Sequence, residues 1–184
     1  MTHNISYPVS FGTSGHRGLI GTSFTTKHVV AIAHATADYF ASKKKSISLA
    51  IGFDTREGNS LTPESSVVND LIHTLSSRGI HCYVSAIPCP TPVISWLIRN
   101  EQLDGGFILT ASHNPPEYNG IKFNPANGAP APVQITQYIQ RQANHYLNTS
   151  VPSIQEPGGT TIRHLTDPFC KKLIQKVYTT LPNL

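Results

Sequence analysis

The sequence predicts an α/β fold of three layers, α/β/α, built on a mostly parallel (mixed) sheet. Three observations carry that expectation. Between residues 47 and 111, short apolar runs and helical patterns follow one another as strand, helix, strand, helix, strand, an order that needs right-handed crossovers and a sheet covered on both faces. Apolar residues in the helical stretches recur with a period near 3.6. Glycine and proline mark the junctions between them.

In order along the chain, residues 26–42 place Val29, Val30, Ala33, Ala37 and Phe40 on one side after the capping candidates Thr25 and Thr26, which reads as an amphipathic helix. "ISLAIGFD", 47–54, is short and apolar and ends at a charged turn, as a buried strand does. Thr62-Pro63-Glu64 combines a hydroxyl cap, a proline and an acid, and Val67, Val68, Leu71, Ile72 and Leu75 continue the period until Gly79; a helix is expected from that cap to that glycine. A second strand, "IHCYVSAI", spans 80–87. The rigid "PCPTP" then leads into a short helix with Val93, Ile94, Leu97 and Ile98, and the third strand is "GGFILTA", 105–111.

"GIKFN", 120–124, is one more short strand, and Ile135, Ile139, Ala143 and Leu147 mark a further helix. Residues 148–163, rich in Ser, Pro and Gly, read as a linker or loop. A last helix begins at Asp167-Pro168 with Phe169, Leu173, Ile174 and Val177 together. In a sheet of this kind the ligand site lies beyond the C-terminal strand ends, so Asp54-Thr55-Arg56, the loop from Pro88, and Ser112 gather at one edge.

The 184 residues form a single domain, 1–184, able to bury about 70% of the unfolded surface. With 39% apolar residues and no low-complexity tract the chain is globular. No run reaches the ~20 apolar residues of a membrane span, and "MTHNISYPVSFG" lacks the apolar core of a signal peptide, so a cytoplasmic chain without membrane contact is expected. Cys82, Cys89 and Cys170 suggest neither a disulfide framework nor a zinc site. The net charge of +4 is scattered, and its one run, Lys43 to Lys45, sits at a helix end. No nucleic-acid partner is expected without a basic stripe interleaved with aromatics.

Ser112 follows a buried strand directly, so its hydroxyl stands at the ligand edge, and Asn114-Pro115-Pro116 stiffens the bend after it. There is no G-x-S-x-G elbow. His113 is its neighbour, but adjacent residues of an extended segment point apart. "FGTSGHRG", 11–18, matches no nucleotide loop; its glycines, Thr13, Ser14, His16 and Arg17 form a turn that can cradle an anion through backbone N–H groups and the guanidinium. Lys122 can neutralise a phosphate or move a proton, and Arg56 is an oxyanion contact or an exposed charge. The nine histidines contain no H-E-x-x-H and the carboxylates no D-x-D, so a complete metal site is not expected.

Phe11 to Gly18, Asp54-Thr55-Arg56, Thr110 to Pro116 and Gly120-Ile121-Lys122, in this order, resemble the first domain of the α-D-phosphohexomutases. The glycine-rich segment, Ser112-His113-Asn114-Pro115-Pro116 and "NPANGAPA" are most similar to bacterial phosphoglucomutase, and the similarity covers nearly all of residues 10–180. The resemblance implies that Ser112 is the phosphoryl carrier, phosphorylated at rest, and that glucose 1-phosphate and glucose 6-phosphate interconvert through a hexose bisphosphate. It implies Mg²⁺, held here by Ser112 through its phosphate only, and hexose 1,6-bisphosphate as primer. Arg17 and Lys122 offset charge, Lys122 with Arg17 or His113 manages the hydroxyl proton, and Arg56 fixes the carrier loop. Thr13, Ser14, His16, Arg56 and Asn114 contact substrate or phosphate.

Family members carry three further domains, with an aspartate-rich Mg²⁺ loop, a sugar-recognition loop and a distal-phosphate cluster, none of them expected within residues 1–184. The isolated chain is therefore expected to show little mutase activity, and its edge to favour self-association or complementing domains. The alternatives are a non-catalytic remnant or interaction module of the same fold, and a phosphomannomutase domain.

Overall fold

In a computed structural model describing residues 7–12, 15–43, 46–62, 66–149, 158–163 and 168–172, the elements are β1 (Phe11–Gly12), β2 (Gly15–Leu19), α1 (Thr26–Ala41), β3 (Ile47–Phe53), α2 (Val67–Ser77), β4 (Ile80–Ser85), α3 (Thr91–Asn100), β5 (Gly105–Leu109), β6 (Tyr118–Pro125), α4 (Val133–Asn148) and β7 (Thr160–Arg163). The sheet has the order β1-β2-β6-β5-β3-β4-β7. It is mixed: β5-β3-β4-β7 pair in parallel, and β1-β2-β6-β5 in antiparallel fashion.

Pleating sends alternate side chains of β3 to opposite faces. Leu49, Ile51 and Phe53 pack with α1, α2 and α4, whereas Ala50 packs with Val93, Ile94, Leu97 and Ile98 of α3. Both faces of β3 are buried, which is why its sequence is continuously apolar and not alternating. The chain moves one way across the sheet from β3 to β4 and back past β3 to reach β5, so crossovers of one hand place α2 and α3 on opposite faces. α1 lies between α2 and α4, and its buried surface accordingly runs from His28 to Phe40, wider than the expected single stripe.

Several expectations change. The helix expected from Thr62 begins at Val67, because the Ser66 hydroxyl accepts the Asn69 N–H and caps it instead; residues 63–65 lie outside the described residues. Residues 160–163, expected in a linker, form β7, which among the described residues is an edge strand paired with β4. The anion-cradling turn at 11–18 is a β-hairpin whose second strand pairs with β6. The helix expected from Asp167 is described only as a helical turn at 168–172, where Phe169 meets Trp96 edge-on; Leu173, Ile174 and Val177 are outside the described residues, as are Lys44 and Lys45. Among the described residues no helix is long and apolar enough to cross a membrane.

Candidate active site

Strand β5 delivers the chain to Thr110 and Ala111 at the C-terminal edge of the parallel strands, and Ser112 follows, exposed. Its backbone is in the left-handed region at φ 61°, a conformation of order 1 kcal/mol or more above the ordinary ones for a residue with a Cβ. The bend is therefore not extended, and the Ser112 Oγ lies 3.4 Å from His113 Nδ1 rather than on the opposite side. The Ser112 N–H donates to Thr110 Oγ1 at 2.9 Å, and the turn closes through Asn114 N–H to Ala111 O and Tyr118 N–H to Pro115 O.

Arg56 holds that bend. One terminal nitrogen donates to Pro115 O and Tyr118 O at 2.7 and 2.8 Å, the other to Ser112 O and Asn114 O at 2.9 and 2.7 Å. Its Nε lies 3.3 Å from Asp54 Oδ2. A guanidinium has four terminal N–H bonds, and all four go to backbone carbonyls. The terminal donors expected to meet a phosphate are thus bound to the loop itself.

Arg17 and Lys122 come together through the β2/β6 register. Arg17 is opposite Gly120, so Arg17 and Lys122 share a face of the sheet. A Cβ at Gly120 would sit 2.9 Å from Arg17 Cγ and 2.7 Å from Thr110 O; the absent side chain is what lets the arginine stem cross the strand. Arg17 donates to Asn114 Oδ1 at 3.0 Å, tying the hairpin to the serine loop. Burial, and then the neighbouring Arg17 charge, holds the Lys122 ammonium below the ordinary lysine range, which favours the neutral amine that can take a proton.

His16, expected as a substrate or phosphate contact, is turned away from Arg17. Being one residue from Arg17 it points to the opposite face, where it is 3% exposed and stacked between Phe24 and His28. Its Nε2 bonds Ser23 O and its Nδ1 accepts from Ser10 N–H, so both ring nitrogens are engaged within the chain. Thr13 and Ser14 lie outside the described residues. Among the described residues no three His, Cys, Asp or Glu side chains converge on a metal position, so the donor set does not by itself fit Mg²⁺. Cys82 and Cys89 are buried, and burial pushes the Cys82 thiol up to about 12.

Two supporting groups had no sequence signal, Asn59 and Asn119, and Thr110, within the segment that carries the resemblance, had no assigned role; all three are buried beneath the bend. A cleft of about 1000 Å³ opens beside the α1 N-terminus, lined among others by Thr22, Lys27, Glu57 and Ser60. Ser112, Arg17 and Lys122 do not line it, and the site is placed at the serine because the exposed hydroxyl and the cations lie there.

The family profile for phosphoglucomutase/phosphomannomutase, alpha/beta/alpha domain I, matches residues 8–150. A phosphoglucomutase from Komagataeibacter xylinus is 35% identical over 80% of the chain and 27% of its own length. A phosphoglucosamine mutase from Helicobacter pylori (strain Shi470) is 38% identical over 89% of the chain and 38% of its own length. The crystal structure of a Thermus thermophilus protein assigned as a phosphomannomutase superposes with a TM-score of 0.76 at 28% identity, over 94% of this chain and 37% of that one. The chain thus spans well under half the length of these relatives.

Proposed function

The chain belongs to the phosphoglucomutase/phosphomannomutase family through its domain I, and on that premise we propose that it is the phosphoserine-bearing part of a hexose-phosphate mutase, with Ser112 as the phosphoryl carrier. The observation that carries the reading is the serine's position: an exposed hydroxyl on a left-handed bend that a guanidinium grips by four carbonyls. Preorganisation of this kind suits a reacting atom that must be met in line.

In the transfer, the bond from phosphorus to Ser112 Oγ breaks as a sugar hydroxyl oxygen takes the phosphoryl group. The sugar hydroxyl gives up its proton and the serine oxygen gains one. We assign the sugar's proton to Lys122, whose charged form is already disfavoured, a role worth about 10²- to 10⁴-fold in rate. Arg17 lies beside Lys122 and offsets charge on the moving group. Arg56 acts on the loop and Asn114 links it to Arg17. A phosphate on Ser112 would offer Mg²⁺ one oxygen, the remaining ligands coming from outside these residues. Glucose phosphate is the assigned substrate, after the Komagataeibacter relative, and the site of action is the cytoplasm. Because the chain spans 27% and 38% of the two curated relatives described above, it is expected to turn over little glucose 1-phosphate alone.

Incubation of the purified chain with glucose 1,6-bisphosphate, followed by intact-mass measurement and peptide mapping, is expected to place one phosphate on Ser112. Glucosamine 1,6-bisphosphate as a parallel donor separates the sugars. An unmodified chain with either donor would remove the carrier reading in favour of a non-catalytic module of the same fold.

A further inference from the structure

We infer that Asn59 and Asn119 are positioning residues: a buried amide pair that locks the loop carrying Ser112 to the strand carrying Lys122. The inference rests on the reading of Ser112 as phosphoryl carrier, and it addresses a geometric problem in that reading. Ser112 lies on the connection after β5, whereas Lys122 lies on β6. The β5/β6 ladder ends at Leu109 opposite Ile121, with Thr110 N–H to Gly120 O as the next bond. Beyond it the serine loop has no strand partner, so ladder pairing does not fix the distance between carrier and proton acceptor.

Side chains bridge that gap. Asn119 is 1% exposed and Asn59 7%. Asn119 Oδ1 accepts the Gly120 N–H at 2.7 Å, while its Nδ2 donates to Asn59 Oδ1 at 2.9 Å and to Glu57 O at 3.2 Å. Asn59 Nδ2 donates to Asp54 Oδ1 at 2.8 Å and to Leu109 O at 3.1 Å. Asp54 then receives the Arg56 backbone N–H on the same oxygen and faces the Arg56 Nε with the other. One continuous line thus runs from Gly120, two residues from Lys122, to the four carbonyls gripped by Arg56.

Only an amide suits these two positions. Each side chain must both donate and accept, and each partner is itself fixed. A carboxylate at 119 would keep the bond from Gly120 but turn an acceptor toward Asn59 Oδ1 and Glu57 O, which need a donor. In a water-poor interior such a mismatch is not made up by solvent, and a fully satisfied network of this kind selects one arrangement. Loss of the pair should therefore loosen the loop relative to β6 while leaving the helices and the parallel strands in place.

The test uses the full purified chain with Asn119→Asp and the milder Asn59→Ser. Amide hydrogen exchange is compared at Ser112, Asn114 and Tyr118 against β4 and α1, and the rate of phosphate transfer from glucose 1,6-bisphosphate to Ser112 is measured over donor concentration. For Asn119→Asp, exchange in the loop is expected to rise at least tenfold with β4 and α1 unchanged, and the maximal transfer rate to fall at least tenfold with the half-saturating concentration unaltered. Asn59→Ser should shift both in the same direction by less. Loop exchange that stays constant, or rises equally everywhere, overturns the inference, as does an unchanged transfer rate with a loosened loop. Where the unsubstituted chain takes no phosphate the carrier reading falls, and exchange alone then decides whether the pair positions the loop. Should Asn119→Asp not fold, Asn59→Ser decides on the same two measurements.

Discussion

The bend at Ser112 and the hairpin that carries Arg17 are held by side chains of opposite proton demand. The bend hangs on Arg56, whose guanidinium donates to four carbonyls and has no acceptor atom. The hairpin is backed by His16 and His28, stacked 5.2 Å apart, each of which accepts a backbone N–H on Nδ1: Ser10 for His16 and Thr25 for His28. On the other ring nitrogen, each bonds a carbonyl, Ser23 O or Tyr7 O. Neutral imidazoles make these bonds, although His16 Nδ1 also lies 3.3 Å from Ser10 O. The difference means that acid should act on the hairpin first and leave the serine bend gripped, although both regions supply groups to one site.

The largest effect should come from breaking the charged side of the comparison. Arg56→Ala removes all four carbonyl contacts and leaves Asp54 facing no cation, at a cost of about 3 kcal/mol in urea unfolding. The bend would no longer be held at its left-handed φ, and transfer of phosphate to Ser112 should fall by roughly 100-fold or more. Arg56→Lys should recover little, because one ammonium with three donors cannot span four carbonyls in a plane. Recovery of the transfer rate to within a few-fold by lysine would show that the charge matters and the fork does not.

The neutral side predicts a smaller, pH-dependent effect. Burial first, and the neighbouring His28 second, hold His16 below the usual 6.5, and burial does the same for His28. His34, where Arg78 Nη1 faces Nδ1 at 3.1 Å, is likewise lowered by burial and then by Arg78, against the pull of Asp38. A histidine with a depressed folded-state value binds its proton more readily when unfolded, so stability is fully present above 6.5 and is lost as pH falls below it. The loss approaches about 1.4 kcal/mol per pH unit for each histidine that remains neutral in the fold. Urea midpoints should be level from pH 8 to 7 and drop steadily to pH 5, and His16→Gln or His28→Gln should flatten that drop; equal midpoints at pH 8 and 5 would remove the contrast.

These two regions also differ in how far they can be read from residues alone. β3 and β5 are legible because burial on two faces leaves an apolar run between turn residues, β4 because buried Ile80, Cys82 and Val84 alternate with half-buried residues, and Ser112 follows from where β5 ends. Arg17 and Lys122 are legible as charges near glycines, but which faces they take needs the register between β2 and β6. His16 shows the limit: one step along a strand reverses a side chain, and the glycine-rich segment carries no apolar alternation to mark it as a strand. β7 is hidden for another reason. Thr160–Arg163 joins the sheet through its backbone, and its one large apolar residue, Ile162, is 57% exposed. Ser66 displaces Thr62 as a helix cap within a run where both residue types fit. Asn59 and Asn119 are 60 positions apart, and no local pattern joins them.

The smallest expected effect sharpens the comparison at one atom. The Thr25 hydroxyl and backbone N–H both face His28 Nδ1, at 2.8 and 3.2 Å, while His28 Nε2 bonds Tyr7 O at 2.7 Å. With a hydrogen on Nε2 for that carbonyl, Nδ1 has a lone pair for the hydroxyl proton, so Thr25 stabilises the neutral imidazole. Thr25→Val keeps the shape and removes that donor. At pH 8 the loss should be about 1 kcal/mol, the scale of one hydrogen bond. Removing a donor to the neutral ring favours the protonated His28 relative to the neutral one, so the variant has less stability to lose on acidification. The gap between the two proteins should therefore narrow as pH falls from 8 to 5, measured as the difference in urea midpoints at each pH. A gap that stays constant would mean that the hydroxyl serves the helix end alone, and that the hairpin's dependence on a neutral His28 does not run through Thr25.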